Sequence, residues 1–246
     1  EGFEGFELYF QPIYNTDDDS LSGAEALIRW NSRKYGFIGP NTFIPLLEDS
    51  ALIIPLGRWI INTAAKACNR WITSIPDFVM HINLSFVQIV KSNIVKDVLE
   101  NIERYSAANN HYVFEITETI EMDQIPAVQN VFKEFVKNEF RFAIDDFGTG
   151  YSNYGYMRDR TFDIVKVDRS FVTDIDKLKD NYLMVSFIIK MAHEMGLHVC
   201  IEGVETKEEL SCVKKLGADY IQGYYYGKPV CLQDFEEQHL KRFVLG

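Results

Sequence analysis

The chain has 246 residues, 47% of them hydrophobic and 25% charged, with a formal net charge of −11. That length and balance describe a soluble globular domain with a full core, while the acidic excess argues against a nucleic acid polymer as partner, which needs clustered Lys and Arg. The most apolar stretch, Ala51–Ile61, is interrupted by Pro55, Gly57 and Arg58, so no segment suits a bilayer span.

The opening residues Glu1-Gly2-Phe3-Glu4 are acidic, without Met or an apolar signal core. They suggest one domain over 1–246, excised from a longer chain, in a cytoplasmic setting with no membrane contact from this segment. A membrane anchor elsewhere in a parent chain stays compatible with this. Cys68, Cys200, Cys212 and Cys231 form no C-x-x-C pair, which suits a reducing compartment and removes zinc clusters and redox dithiols. His193-Glu194 begins an H-E-x-x-H motif, but Leu197 stands where the second His belongs and His198 is one residue late.

In chain order, Leu8–Tyr14 and Gly23–Trp30 read as strands joined by the polar turn Asn15–Ser20, a hairpin. Glu25 lies in the second of them, and its plainer reading is an exposed position on an alternating strand. Phe43–Glu48 and Leu56–Ile72 carry helical spacing, closed by Pro76. From Val79 a unit repeats: a short apolar strand, a polar residue at its end, then an amphipathic helix. Val79–Ile82 leads to Asn83 and a helix reaching about Tyr105. Tyr112–Phe114 leads to Glu115 and a helix whose Val128, Val131, Phe132, Phe135 and Val136 mark one buried face. Phe140–Ile144 leads to Asp145, and Asp163–Val165 to Lys166, before a helix over Asp180–Met195. His198–Ile201 leads to Glu202, with Thr206 and Glu209 forming a capping box and Gly217 ending the helix. Tyr220-Ile221 leads to Gln222, and a last helix spans Leu232–Phe243.

Repeated strand–helix units predict a parallel sheet, and about eight strands in this length fit a (β/α)8 TIM-like barrel of the α/β class. In such barrels functional groups project from the C-terminal ends of several strands. Asn83, Glu115, Asp145, Asp146, Lys166, Glu202 and Gln222 all sit at or just past predicted strand ends, and Glu25 joins them if its strand enters the barrel.

The pair Asp145-Asp146 precedes Phe147-Gly148-Thr149-Gly150. As plain turn chemistry this is a solvated loop. A kinase metal triplet would need an upstream Gly-rich loop, strand Lys and H-R-D, all absent. A dinucleotide fingerprint would need a third Gly where Asn153 stands. Five carboxylates in one pocket need cations. An oxygen-rich set with an Asn amide suits Mg²⁺ or Mn²⁺, and adjacent aspartates can flank two ions, as in phosphoryl displacement. Lys166 would then orient an attacking water or help deprotonate it, and Arg29 would hold a phosphate. The plainer reading of each is an ion pair.

Glu25-Ala26-Leu27-Ile28-Arg29-Trp30, Asn83-Leu84-Ser85, Glu115-Ile116-Thr117-Glu118, Asp145–Ser152, Asp163–Asp168, Glu202-Gly203-Val204-Glu205 and Gln222-Gly223-Tyr224 resemble, in order, the motifs of the EAL family of cyclic di-GMP phosphodiesterases. The resemblance covers about Leu8 to Pro229. It implies a modified (β/α)8 barrel with one early strand antiparallel, and hydrolysis of cyclic di-GMP to linear pGpG with two Mg²⁺ or Mn²⁺ ions. It implies that Glu25, Asn83, Glu115 and Asp145 hold one ion, and that Asp145 bridges to a second held also by Asp146 and Glu202. Lys166 would act on the water, Gln222 would position it or the substrate, and Arg29, Leu27 and Gln11 would contact the nucleotide. Glu118 and Glu205 would brace the Asp145–Ser152 loop, which contains Thr149. Asn153 and the segment Tyr154–Thr161 depart from the family pattern without removing a ligand, and they bear on a homodimer contact that related proteins often make there. A catalytically silent cyclic di-GMP receptor is the alternative; such receptors lose ligands that this chain keeps. A metal phosphoesterase with another substrate is a third class, which the ring of ligands alone leaves open. Ca²⁺, larger and looser in coordination, is expected to inhibit hydrolysis.

Overall fold

Ten strands share one sheet in the computed structural model, which describes residues 3–117, 126–149 and 161–241. The strands are β1 (Phe6–Asn15), β2 (Leu21–Ser32), β3 (Gly36–Ile38), β4 (Val79–Asn83) and β5 (Tyr112–Thr117), then β6 (Arg141–Phe147), β7 (Ile164–Val167), β8 (His198–Glu202), β9 (Tyr220–Gln222) and β10 (Val230–Cys231). Eight of them close a barrel in the order β1-β9-β8-β7-β6-β5-β4-β2, with β2 pairing back to β1. β1 runs antiparallel to both neighbours, and every other barrel pair is parallel. The expected fold, with its early antiparallel strand, is what forms. β3 and β10 are short additions on β2 and β1.

The helices around the barrel are α1 (Pro40–Asp49), α2 (Ile53–Trp71), α3 (Phe86–Lys91), α4 (Ile94–Ile102), α5 (Pro126–Lys137), α6 (Lys179–Glu194), α7 (Lys207–Leu216) and α8 (Leu232–Phe235). The single helix expected between Asn83 and Tyr105 is two. Ser92 breaks it, and the Asn93 side chain accepts from Lys96 N at 3.3 Å to start α4. Both residues offer the backbone a local hydrogen bond that competes with the helix. On α5, Val128 and Phe135 are buried but Val136 is 46% exposed, so the buried stripe is one position narrower than its spacing suggests. The capping box at Thr206 and Glu209 forms, and Gly217 ends α7 with φ 81°. The last helix is short, because α8 passes into a π-type turn over Glu236–Leu240; Phe243 lies outside the described residues.

Aromatic rings fill the space between barrel and helices. Phe132 meets Phe142 edge-on at 4.7 Å, and Trp71 sits between Phe10 and Phe235 at 4.9 and 4.6 Å. Inside the barrel, a smaller apolar cluster of Ile13, Val113, Ala143, Ile164 and Cys200 closes the end opposite the site. Among the described residues no helix is long and apolar enough to cross a membrane.

Candidate active site

Side chains along a strand alternate between faces, so residues two apart share one face. On β5, β6, β7, β8 and β9 the inward pairs are Val113 and Glu115, Ala143 and Asp145, Ile164 and Lys166, Cys200 and Glu202, Tyr220 and Gln222. The first of each pair belongs to or packs on the apolar floor, and the second lies one layer higher. Glu115 and Lys166 are therefore inside their strands and not at the ends, because β5 continues to Thr117 and β7 to Val167. That placement buries both to 1% exposure.

Adjacent residues ought to face opposite ways, yet Asp145 and Asp146 converge. The β6–β7 register slips between Ile144 and Phe147, and Asp146 adopts φ +53°, a left-handed conformation that only short polar side chains tolerate readily. Such a bulge re-aims a side chain beside a site. Thr149 fastens it, donating from N and Oγ1 to Asp146 O at 3.2 and 3.0 Å. Gly148 follows at φ +99°, and a Cβ there would lie 2.7 Å from the Phe171 ring. Oxygens of Asp145, Asp146 and Glu202 consequently all fall within 4.8 Å of one another.

Lys166 sits at the centre. Its Nζ lies 2.8 Å from Glu115 Oε2, 2.8 Å from Glu202 Oε1, 3.1 Å from Asp145 Oδ1 and 3.3 Å from Glu25 Oε2. Burial alone would discharge the amine, but these carboxylates hold it well above its ordinary pKa. Burial would also raise Glu25. The Lys166 charge and hydrogen bonds from Gln222 Nε2 (2.7 Å) and Asn83 Nδ2 (2.6 Å) instead keep it at about 2. For the other acids burial and crowding dominate: Glu202 is pushed up to about 8, Glu115 well above its usual range, and Asp146 upward.

Five carboxylates thus face one ammonium. Asp145 Oδ1 is buried and lacks a directed hydrogen bond, since its 3.1 Å approach to Lys166 is an ion pair without hydrogen-bond geometry. The donors are oxygens of Asp, Glu and Asn. A deficit of positive charge with an oxygen-only donor set fits hard divalent cations.

Beside the ring opens a cavity of about 800 Å³, lined by Glu25, Asn83 and Asp145 at the ring and by Leu27, Arg29 and the α1–α2 region beyond it. Leu27 and Arg29 are thereby brought to the site, with Arg29 Cζ 5.8 Å over the Tyr9 ring. Gln11 pairs across from Glu25 in the β1–β2 register. Its amide accepts from Gln222 (3.1 Å) and donates to Gly227 O (3.3 Å), which places it behind Gln222. Glu205 is at the rim, bonded to Arg169 at 3.0 Å, and Arg169 leads into the Phe171 turn on which Gly148 packs. Glu118, Ser152, Asn153 and the rest of 150–160 lie outside the described residues.

Two contributors escape a reading by motifs. His81 is buried on β4, two residues before Asn83, with Nδ1 2.7 Å from Glu115 Oε1. Its signal was the alternation that puts it on the same face as Asn83. Burial first, and then the Lys166 charge, lower its pKa to about 3, so the ring is neutral. Glu48, on α1, lines the cavity and accepts from Ser85 Oγ at 2.5 Å; a lone acid on an amphipathic helix gives no comparable signal.

The EAL domain family profile matches residues 3–229. Among curated proteins the chain is 32% identical over 228 residues to the cyclic di-GMP phosphodiesterase PdeL of Escherichia coli (strain K12), covering 92% of this chain and 62% of that protein. It is 32% identical over 227 residues to the probable cyclic di-GMP phosphodiesterase PdeG of the same organism, at 92% and 45% coverage. Among solved structures it superposes on the EAL enzyme Bd1971, in its cAMP- and cyclic-di-GMP-bound form, with TM-score 0.90 and 36% identity over 95% of this chain and 64% of that one. The chain spans between 27% and 62% of the length of the curated relatives it matches. With the barrel, the ordered motifs and a match over nearly the whole length in agreement, this chain belongs to the EAL domain family.

Proposed function

We propose that the chain hydrolyses one phosphodiester bond of cyclic di-GMP to give linear pGpG. The observation that carries this reading is the buried ring of Glu25, Glu115, Asp145 and Glu202 around Lys166, open to a nucleotide-sized cavity. The relatives named as cyclic di-GMP phosphodiesterases support the substrate.

Mg²⁺ or Mn²⁺ is the cofactor the ring suits. Glu25, Asn83, Glu115 and Asp145 would hold one ion; Asn83 Nδ2 is committed to Glu25, so its Oδ1 is the atom available. Asp145 would be shared with a second ion at Asp146 and Glu202. Bound ions supply Lewis-acid polarisation of the phosphodiester and favour a deprotonated attacking water. The chain does the rest. Lys166, kept as an ammonium by its carboxylates, donates to the attacking oxygen. Gln222, held from behind by Gln11, fixes the water or the substrate. Arg29 receives a phosphate and Leu27 packs on the nucleotide. Thr149, Glu205 and Glu118 keep the aspartate loop in register.

Purified protein with Mg²⁺ or Mn²⁺ should convert cyclic di-GMP to pGpG, read by chromatography. Tight binding without turnover would make it a receptor, and no binding at all would overturn the reading. Ca²⁺ should support binding but slow hydrolysis. The exposed apolar face of α6, with Leu183, Met184 and Phe187, supports a homodimer, which sedimentation would test. Four free cysteines suit a cytoplasmic location.

A further inference from the structure

The C-terminal turn Glu236–Leu240 carries a buried imidazole, His239, that the ring does not use. Its Nδ1 lies 3.0 Å from Tyr14 Oη on β1, while its Nε2 is buried with no hydrogen-bond partner among the described residues. A leucine would fill the same space without an unmet polar atom, so packing alone does not account for the ring. The turn that carries it is well seated. Phe235 stacks on Trp71 at 4.6 Å, and Glu236 accepts from Trp71 Nε1 at 3.0 Å and pairs with Arg70 at 2.9 Å. Against the imidazole lies Gly227. A Cβ on Gly227 would stand 3.1 Å from His239 Cε1 and Nε2 and 2.9 Å from Pro12 Cγ, so this backbone is held between two rings. Gly227 O accepts from Gln11 Nε2 at 3.3 Å, and Gln11 Oε1 accepts from Gln222 Nε2 at 3.1 Å. That same Gln222 nitrogen donates to Glu25 Oε2 at 2.7 Å.

We infer that His239 is a positioning residue for the reaction: with Pro12 it fixes the Gly227 carbonyl, and through Gln11 it fixes the Gln222 amide beside Glu25. Gln222 Oε1 is buried without a hydrogen-bond partner, so the amide is oriented by what its Nε2 can reach. Gln11 Oε1 is one of those two acceptors, and it is aimed at Gln222 while Gln11 Nε2 has Gly227 O to bond. Tyr14 supplies the hydrogen bond that keeps the imidazole turned toward Gly227. The inference rests on the hydrolase reading and extends the machinery to the C-terminal turn, outside the barrel.

The test inserts a methyl group at the contact and then makes room for it. Gly227 is not among the glycines with positive φ, so Gly227→Ala is opposed by His239 and Pro12 and not by the backbone. Wild type, Gly227→Ala, His239→Ala, His239→Leu and the double variant Gly227→Ala/His239→Ala are compared by steady-state kinetics on cyclic di-GMP with saturating Mg²⁺. Melting temperature and Mn²⁺ binding by electron paramagnetic resonance check the fold and the ring. Gly227→Ala should lower kcat by about 10- to 100-fold, the cost of misplacing a group that orients the reacting parts. KM should change little, since the lost interaction serves the reacting centre more than binding. The double variant should recover most of that loss, because the methyl can leave Pro12 for the space the imidazole vacates and residues in contact are not additive. His239→Leu keeps the bulk without the Tyr14 hydrogen bond. It should melt no lower than wild type yet lose kcat by about 10-fold, and it decides the matter if His239→Ala does not fold. Wild-type kcat in Gly227→Ala or in His239→Leu would overturn the inference and leave the hydrolase reading intact. So would a double variant as slow as Gly227→Ala, or a lost rate matched by lost Mn²⁺ binding, which would place the damage in the ring itself. A wild type that neither binds nor cleaves cyclic di-GMP would overturn both.

Discussion

Ile164 and Lys166 are two residues apart on β7 and point into the same barrel. Ile164 lies among Ile13, Val113, Ala143 and Cys200, where nothing needs a hydrogen bond. Lys166 has four carboxylates within 3.3 Å. The floor gains stability simply by excluding water. The upper layer loses it, because each ionised acid must find compensation that a single ammonium cannot supply to all five. One strand step thus separates a layer that holds the barrel together from a layer that the barrel must hold together. Burial and crowding raise the Glu202 and Glu115 pKa values in keeping with that tension, and a bound cation would relieve it.

The sharpest way to break this comparison is Lys166→Met. Turnover should fall by about 10²–10⁴-fold if Lys166 works on the attacking water. Removing one partner from a buried ionic cluster should also cost about 3–5 kcal/mol of metal-free stability, and saturating Mn²⁺ should recover more melting temperature in the variant than in wild type. A variant as stable as wild type without metal would show that the upper layer carries no such strain. Next is His81→Ala. Its imidazole orients Glu115 from below, and losing a partner of that kind costs about 10- to 100-fold in metal affinity. Mn²⁺ titration by electron paramagnetic resonance checks it, and His81→Asn, which can still donate, should recover part of the loss. Ile164→Val belongs to the floor: about 0.5–1.5 kcal/mol of stability lost, with metal affinity and kcat unmoved. If Ile164→Val changed metal affinity as His81→Ala does, the two layers would not be separable.

The difference between layers also explains what the amino-acid sequence disclosed. An apolar residue followed two later by an acid, amide or Lys recurs at Val113 and Glu115, Ile164 and Lys166, Cys200 and Glu202, so the ring and the barrel were legible from strand patterning. Where strands stop was not. Glu115 and Lys166 read as strand ends because a charged residue in an apolar run looks like a boundary, and only the closed barrel shows that the run continues past it. The bulge at Asp146 was hidden for a different reason, since positive φ at a non-glycine depends on what Thr149 and Phe171 impose from outside. His81 looked like strand filler between Met80 and Ile82, and its partner Glu115 is 34 residues away. Glu48 sits on a helix whose face is defined only by the cavity it lines.

At the rim below the floor, charge behaves in a third way. His198 Nδ1 and His193 Nε2 both reach Asp219, at 3.2 and 2.8 Å, and Val199 N donates to the same carboxylate at 2.7 Å. Here the side chains keep water: His198 is 57% and Asp219 26% exposed. The hydrogen bond to Asp219 raises the His198 pKa, against the smaller opposing effect of burial. Burial would raise Asp219, but its hydrogen bonds from His198, His193 and Val199 hold it at about 2. The signs fix a window. A raised histidine contributes stability that is fully present below its ordinary pKa of about 6.5 and is lost as pH rises through the raised value. A lowered aspartate contributes above its ordinary value, near 4, and loses that contribution as pH falls through about 2. His198→Gln should therefore cost most near pH 5 to 6, by about 0.2–1 kcal/mol given the exposure, or roughly 0.5–4 °C in melting temperature. At pH 8.5 the variant and wild type should nearly coincide. An equal deficit at both pH values would mean that His198 packs on Tyr220 more than it pairs with Asp219. The rim would then resemble the floor, and charge would matter to this barrel only where it is buried.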